Sequence, residues 1–213
     1  MKTDVIFFRK WLTEDKKTLK ILLFIICNIN NDNVCICNIK DICKWLDIKT
    51  SSVNKDNIKE ILKELQEKNY IKYKEEERNN YNITITASAD EQIKGIYKQW
   101  VLEIRQVKIN NKNNGEEKIS VDYTISIKIL IHCLLGSFKS IMKQEEIGEK
   151  IDVSKDSICD ALKILKQCNF EKMKFLCETA TQDVVLYNLE KKKRERKQAR
   201  IGTYINIGLI FNW

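Results

Sequence analysis

The 213-residue sequence predicts an α+β fold, mainly helical, in which one helix-turn-helix plan with a trailing β-hairpin is used twice. A connecting helix joins the two copies. Three observations predict this. The first is an internal echo at an offset of 100 residues, where "DNIKEILKELQEKNY" (56–70) matches "DSICDALKILKQCNF" (156–170). Ile58, Ile61, Leu62 and Leu65 fall at i, i+3, i+4 and i+7, as do Ile158, Ala161, Leu162 and Leu165, which is one apolar helix stripe written twice. The second is a shorter amphipathic helix pattern ahead of each copy. The third is a pair of alternating apolar/polar stretches directly after the first copy.

The elements follow in order. "TEDKKTLKILLFIICNI" (13–29) is a first helix with Leu19, Leu22, Leu23 and Ile26 inward, and "VCIC" (34–37) is a short strand. "IKDICKWLDI" (39–48) places Ile39, Ile42, Cys43 and Leu46 on one helical face. The polar "KTSSVNK" then offers Ser, Thr and Asn as caps for the helix at 56–70. "YIKYKEE" (70–76), "ERNN" and "YNITITA" (81–87) read as strand, turn and strand with period two. A hairpin placed there is a wing, so the unit is a winged helix-turn-helix.

The second copy runs through "YTISIKILIHCLL" (123–135), "QEEIGEKIDV" (144–153), the turn "SKD" and the repeated helix. "EKMKFLCE" (171–178), a turn at "TATQD" and "VVLYNL" (184–189) supply its wing. Between the copies, "SADEQIKGIYKQWVLEIRQVKI" (88–109) has apolar residues at 93, 96, 97, 100, 104 and 107. Ser88 and Glu91 form a capping box at its start, and "NNKNNGEEK" (110–118) breaks the pattern. The expected division is a winged-helix domain at 1–87, a connecting helix and loop at 88–118, and a second winged-helix domain at 119–213.

The net charge is +8, of which "KKKRERKQAR" (191–200) alone carries +6. This block is expected as a loop between "VVLYNL" and the strand-like "IGTYINIGLIF", set beside the second wing. Clustered Lys and Arg are rewarded by a phosphate duplex through counterion release. Lysine outnumbers arginine 32 to 6 and proline is absent, which suits an A/T-rich gene.

In this order of elements the chain resembles the tandem winged-helix replication initiators of plasmids and the winged-helix replisome-organiser and regulatory proteins of plasmids and phages of low-G+C bacteria. The resemblance rests on "DICKWLDIKTSSVNKDNIKEILKELQEKNYIKYKEEERNNYNITIT" and "EEIGEKIDVSKDSICDALKILKQCNF", and covers nearly the whole chain at the level of pattern. It implies binding of double-stranded DNA at A/T-rich or repeated sites and engagement of replication or transcription proteins. A transcription regulator is the near alternative, and an adaptor that docks on protein without DNA is the alternative from another class. The helix at 88–109 serves either as a rigid connector or as the seam of a homodimer.

The start of the second helix of such a pair approaches base edges. The candidates in copy one are Thr50, Ser51, Ser52, Asn54, Lys55, Asn57 and Lys59, with Lys72, Lys74 and Arg78 on the wing. In copy two they are Ser154, Lys155 and Ser157, with Lys191, Lys192, Lys193, Arg194, Arg196, Lys197 and Arg200 in the basic block. Asn pairs with adenine, Lys reaches guanine or phosphate, and Ser or Thr serves either. Against this, the exposed face of the first repeated helix carries Asp56, Glu60 and Glu67 beside Lys63.

No phosphate-cradling loop, H-E-x-x-H or S-x-x-K occurs, so no enzymatic activity and no cofactor are expected. The lone His132 sits among apolar residues. Cys27, Cys35, Cys37 and Cys43 lack the close-paired spacing of a zinc knuckle and read as buried thiols, with no metal. Trp11, Trp45, Trp100 and Trp213 read as packing residues. The N-terminal stretch lacks the pattern of a secretory signal, and no apolar run approaches the ~18 residues of a membrane span. A cytoplasmic protein without a membrane partner is expected.

Overall fold

The computed structural model describes residues 4–77, 80–86, 93–107, 122–135, 139–170, 173–188 and 193–209. The fold is α+β, with seven α-helices among the described residues holding the larger share of the secondary structure and the strands all pairing antiparallel. The chain divides into two units, 1–102 and 103–213.

In unit 1, β1 (Asp4–Phe8) leads through a 3-10 turn (Arg9–Thr13) into α1 (Lys16–Cys27). The Asp15 side chain caps α1, accepting from the Lys17 and Thr18 amides at 2.8 and 3.1 Å. Partial burial works against that carboxylate's charge, but these bonds and the Thr18 hydroxyl prevail and hold its pKa below the usual value. Leu19 and every residue from Ile21 to Cys27 are buried, so α1 is apolar all round from Ile21 onward and forms the centre of the unit.

β2 (Val34–Asn38) buries Cys35 and Cys37 and exposes Ile36, the period of a half-buried strand. α2 (Ile39–Trp45) starts at a capping box between Asn38 and Asp41, and α3 (Ser52–Glu67) starts at Ser51. α3 buries Ile58, Leu62 and Leu65 on the expected stripe. β3 (Ile71–Glu76) and β4 (Asn80–Ile85) follow, and the sheet order is β2-β4-β3.

A contact that periodicity does not signal fastens the start of the unit to the α3–β3 junction. Glu14, 8% exposed, accepts from the Tyr70 hydroxyl at 2.8 Å and from Lys68 Nζ at 2.7 Å. Lys10 Nζ lies 4.3 Å from the centre of the Tyr70 ring, a cation–π contact. The buried carboxylate is therefore paired and hydrogen-bonded, the condition under which its burial is tolerated.

The expected helix over 88–109 is corrected. Ile93–Tyr97 is strand β5, paired in register with β1 from Phe8↔Ile93 to Asp4↔Tyr97, and only Lys98–Gln106 is helical (α4). Gly95 weakens a helix at that point, and β1 supplies a partner strand that a helical period cannot anticipate. Residues 88–92 and 108–118 of the connector lie outside the described residues. Trp11 and Trp100 are buried as packing residues, whereas Trp213 lies outside the described residues.

Unit 2 contains α5 (Tyr123–Leu135), β6 (Lys139–Met142), α6 (Gln144–Ile151), α7 (Lys155–Gln167), β7 (Met173–Asn188) and β8 (Lys193–Leu209). Its sheet order, β6-β8-β7, reproduces that of unit 1, including a strand ahead of the shorter helix. α5 takes the central place of α1. Two buried polar side chains are satisfied there: Ser126 Oγ donates to the Ala161 carbonyl at 3.0 Å and Lys128 Nζ to the Ile151 carbonyl at 3.2 Å.

The wing of unit 2 differs from expectation. "TATQD" is not a turn, and the ladder runs from Met173↔Leu209 to Asn188↔Lys193 with one irregularity between Ala180 and Thr181. The segment has no glycine or Asn-Gly pair to supply a positive φ, and its threonines favour extended backbone. Residues 193–200 of the basic block are likewise strand rather than loop.

Candidate nucleic-acid interface

Both helix pairs turn by the same device. In unit 1 the amides of Asp47 and Ile48 donate to the carbonyls of Lys44 (3.3 Å) and Cys43 (3.0 Å), with Asp47 at φ 55°. In unit 2 the Val153 amide donates to the Gly148 carbonyl at 2.9 Å, with Asp152 at φ 54°. This Schellman-type closure usually holds glycine at the left-handed position. Aspartate is among the few other residues that tolerate it. A Cβ on Gly148 would lie 2.4 Å from the Val153 carbonyl oxygen, so that turn depends on glycine for close approach. Cys43 at the matching place carries a side chain and is fully buried.

The turn residues of unit 1 divide into free and engaged groups. Ser51 Oγ accepts from the Asn54 amide at 3.2 Å, and Asn54 Nδ2 donates to the Lys49 carbonyl at 2.8 Å, so both side chains staple the turn. Thr50, Ser51 and Ser52 are exposed, whereas Lys55 and Asn57 are half-buried. Lys59 is drawn towards the hairpin, with its Nζ 3.0 Å from Glu75 Oε1. That bond raises the pKa of Lys59 and lowers that of Glu75. Tyr81 donates to the same carboxylate oxygen at 3.2 Å, and burial, with the Glu75 charge adding to it, pushes its phenol up to about 12.

On the outward face of the unit 1 sheet, Lys72 and Lys74 are exposed and Lys74 pairs with Glu76 at 3.0 Å. A shallow depression of about 470 Å³ runs over Val34, Ile36, Lys72, Lys74, Asn82 and Thr84. Arg78 lies outside the described residues. Asp56, Glu60, Lys63 and Glu67 are exposed on α3, as the helical period anticipates, and Glu64 joins them.

Sequence reasoning missed Val53. It is 65% exposed on the first turn of α3, an apolar side chain among the polar candidates. The signal lay in its position off the Ile58–Leu62–Leu65 stripe.

In unit 2, Ser154 and Lys155 are exposed and Ser157 is half-buried at the start of α7. The hydroxyls of Ser154 and Ser157 bond each other at 3.0 Å. Lys155 Nζ sits 2.5 Å from Glu145, whose pKa it lowers. Lys193, Arg194, Arg196, Lys197 and Arg200 fall on the first half of β8, opposite Asn188, Tyr187, Val185, Val184 and Thr181 in register. Lys191 and Lys192 lie outside the described residues.

Cys27, Cys35, Cys37, Cys43 and Cys133 are buried thiols. A bond with Cys37, together with burial, pushes the Cys35 thiol far up, and burial raises Cys168 to about 12, so both stay protonated and unreactive. Among the described residues no cluster of His, Cys, Asp or Glu is placed to hold a metal ion. No helix among them is long and apolar enough to cross a membrane.

No protein-family model matches the chain, and no curated protein matches it.

Proposed function

We propose that this is a cytoplasmic, non-enzymatic protein that binds double-stranded DNA through two winged-helix domains. Its proposed role is that of a plasmid or phage replication initiator or accessory factor, and transcription regulation would use the same contacts. The observation that carries the reading is the repeated helix pair. Two turns closed by the same left-handed aspartate each lead into a helix that carries exposed polar residues at its start, and each pair is followed by an antiparallel hairpin. That order offers the start of α3 or α7 to a major groove.

One observation favours a second reading. Asp56, Glu60, Glu64 and Glu67 are exposed on α3, and carboxylates meet a phosphate-walled groove unfavourably. An adaptor that docks α3 on a basic protein surface would use them.

Fluorescence-anisotropy titration against random and repeat-containing A/T-rich duplexes, at several salt concentrations, separates the two. The expected result is salt-dependent binding with a preference for one sequence. Thr50→Ala with Ser52→Ala and Asn57→Ala should reduce that preference at least tenfold, because even one lost base contact costs about 1–3 kcal/mol. Absence of binding to any duplex at low salt would remove the DNA reading and leave the adaptor.

A further inference from the structure

The unit 2 hairpin is longer than its sheet. β6 pairs with β8 only over Thr203–Asn206, so the third strand ends before Gly202. Beyond the irregularity at Ala180/Thr181, β7 and β8 continue as a two-stranded ribbon of eight register pairs, Thr181↔Arg200 to Asn188↔Lys193. At about 3.3 Å per residue this arm is roughly 26 Å long. A two-stranded ribbon is marginal in water without a surface to lie against.

The composition of the arm indicates that surface. Its outgoing strand carries Lys193, Arg194, Arg196, Lys197 and Arg200 against Glu195, and its incoming strand adds only Asp183. The net charge is +3 over sixteen residues, which disfavours pairing with the arm of a second copy and favours a polyanion. The major groove of B-DNA, about 12 Å wide, admits a two-stranded β-ribbon, whereas the minor groove, about 6 Å wide, does not without deformation.

We infer that residues 181–188 and 193–200 form a basic β-ribbon that lies in the major groove of duplex DNA, over about eight base pairs, as a contact separate from the helix pairs. This rests on the proposed DNA-binding function and adds to it a second mode of contact. The cations anchor the ribbon to the phosphates on either side of the groove, so the arm contributes affinity and salt dependence whichever sequence it covers.

The test uses the full chain and two variants. One is neutralised by Lys193→Gln, Arg194→Gln, Arg196→Gln, Lys197→Gln and Arg200→Gln. In the other, residues 181–200 are replaced by an Asn-Gly turn. Binding is measured by anisotropy on duplexes of 12–40 base pairs across a salt series. The neutralised chain should lose about 3–4.5 units of log–log salt slope, at ~0.9 per phosphate contact. The shortened chain should reach its full affinity on a duplex about eight base pairs shorter than the wild type requires. If it fails to fold, the neutralised chain still decides.

The gap between wild type and neutralised chain is then remeasured on A/T duplex saturated with netropsin, which fills the minor groove. A persisting gap supports the major groove, and a vanished gap overturns that placement. Equal slopes and equal length dependence in all three proteins would overturn the arm as a contact while leaving the proposed DNA binding intact. Failure of the wild type to bind any duplex would remove both.

Discussion

The two units share a skeleton and differ in where they place their polar surface. Both surround a buried central helix, α1 or α5, with a helix pair closed by a left-handed aspartate and a sheet of the same strand order. In the 100-residue alignment α3 starts three residues earlier than α7, so unit 1 owns an extra helical turn carrying Ser52, Val53 and Asn54. Its hairpin is short, six residues a strand, and Glu75 and Glu76 on it pair with Lys59 of α3 and with Lys74. Unit 2 has the shorter turn but strands of 16 and 17 residues, one of them beginning in the basic block. Core positions are held by packing, while surface charge is free to move between units. Under the proposed function, unit 1 is built to read and unit 2 to hold.

The largest expected effect tests whether the units stand alone. Leu62→Ala and Leu162→Ala each empty one site of a matching, buried stripe and should each cost about 3 kcal/mol. Followed by urea denaturation, each substitution should shift one of two transitions and leave the other in place. A single transition moved equally by both would mean that the units fold as one.

The next effect separates the two turns. Gly148→Ala forces a Cβ against the Val153 carbonyl oxygen, a backbone atom that cannot swing aside, and should cost about 2 kcal/mol. Cys43→Ala removes one buried sulfur and should cost about 1 kcal/mol. Equal losses would mean that the two turns leave their helices by the same path despite the glycine.

The helices and the first hairpin were legible because their signals are local. The α3 stripe, the Ser51 cap and the alternation of β3 and β4 all follow from residues within a few positions of one another. What was not legible depends on distant partners. Ile93–Tyr97 becomes a strand only because β1 lies beside it, 93 residues away at its Asp4 end. "TATQD" stays extended because Gln198, Ala199, Arg200, Gly202 and Thr203 pair with it. Glu14 gains its role from Tyr70, and Lys59, assigned to DNA from its helical position, turns to Glu75. Of the candidate site, the exposed polar residues at the helix starts were readable, but their existing bonds were not.

The smallest effect concerns that last contact and its counterpart. Lys59–Glu75 ties α3 to the hairpin with side chains 39% and 44% exposed, whereas Lys155–Glu145 joins two helices with both side chains more than half exposed. A Lys59→Met and Glu75→Gln double-mutant cycle should give a coupling of about 0.5 kcal/mol at pH 7 in low salt. Gln retains an acceptor for the Tyr81 hydroxyl, so the cycle isolates the charge. The depressed Glu75 pKa makes its contribution complete above the ordinary carboxylate value of 4.5 and lost as the pH falls through the lower folded value. The raised Lys59 pKa makes its contribution complete below 10.5 and lost as the pH rises through the higher folded value. The coupling should therefore span neutral pH, fail at both ends and shrink with salt. Lys155→Gln, at the more exposed pair, should leave the unfolding midpoint unmoved. A coupling that survives at pH 2 would show that Lys59 is held by packing along its aliphatic stem instead, which would free its ammonium for the phosphate contact proposed for it.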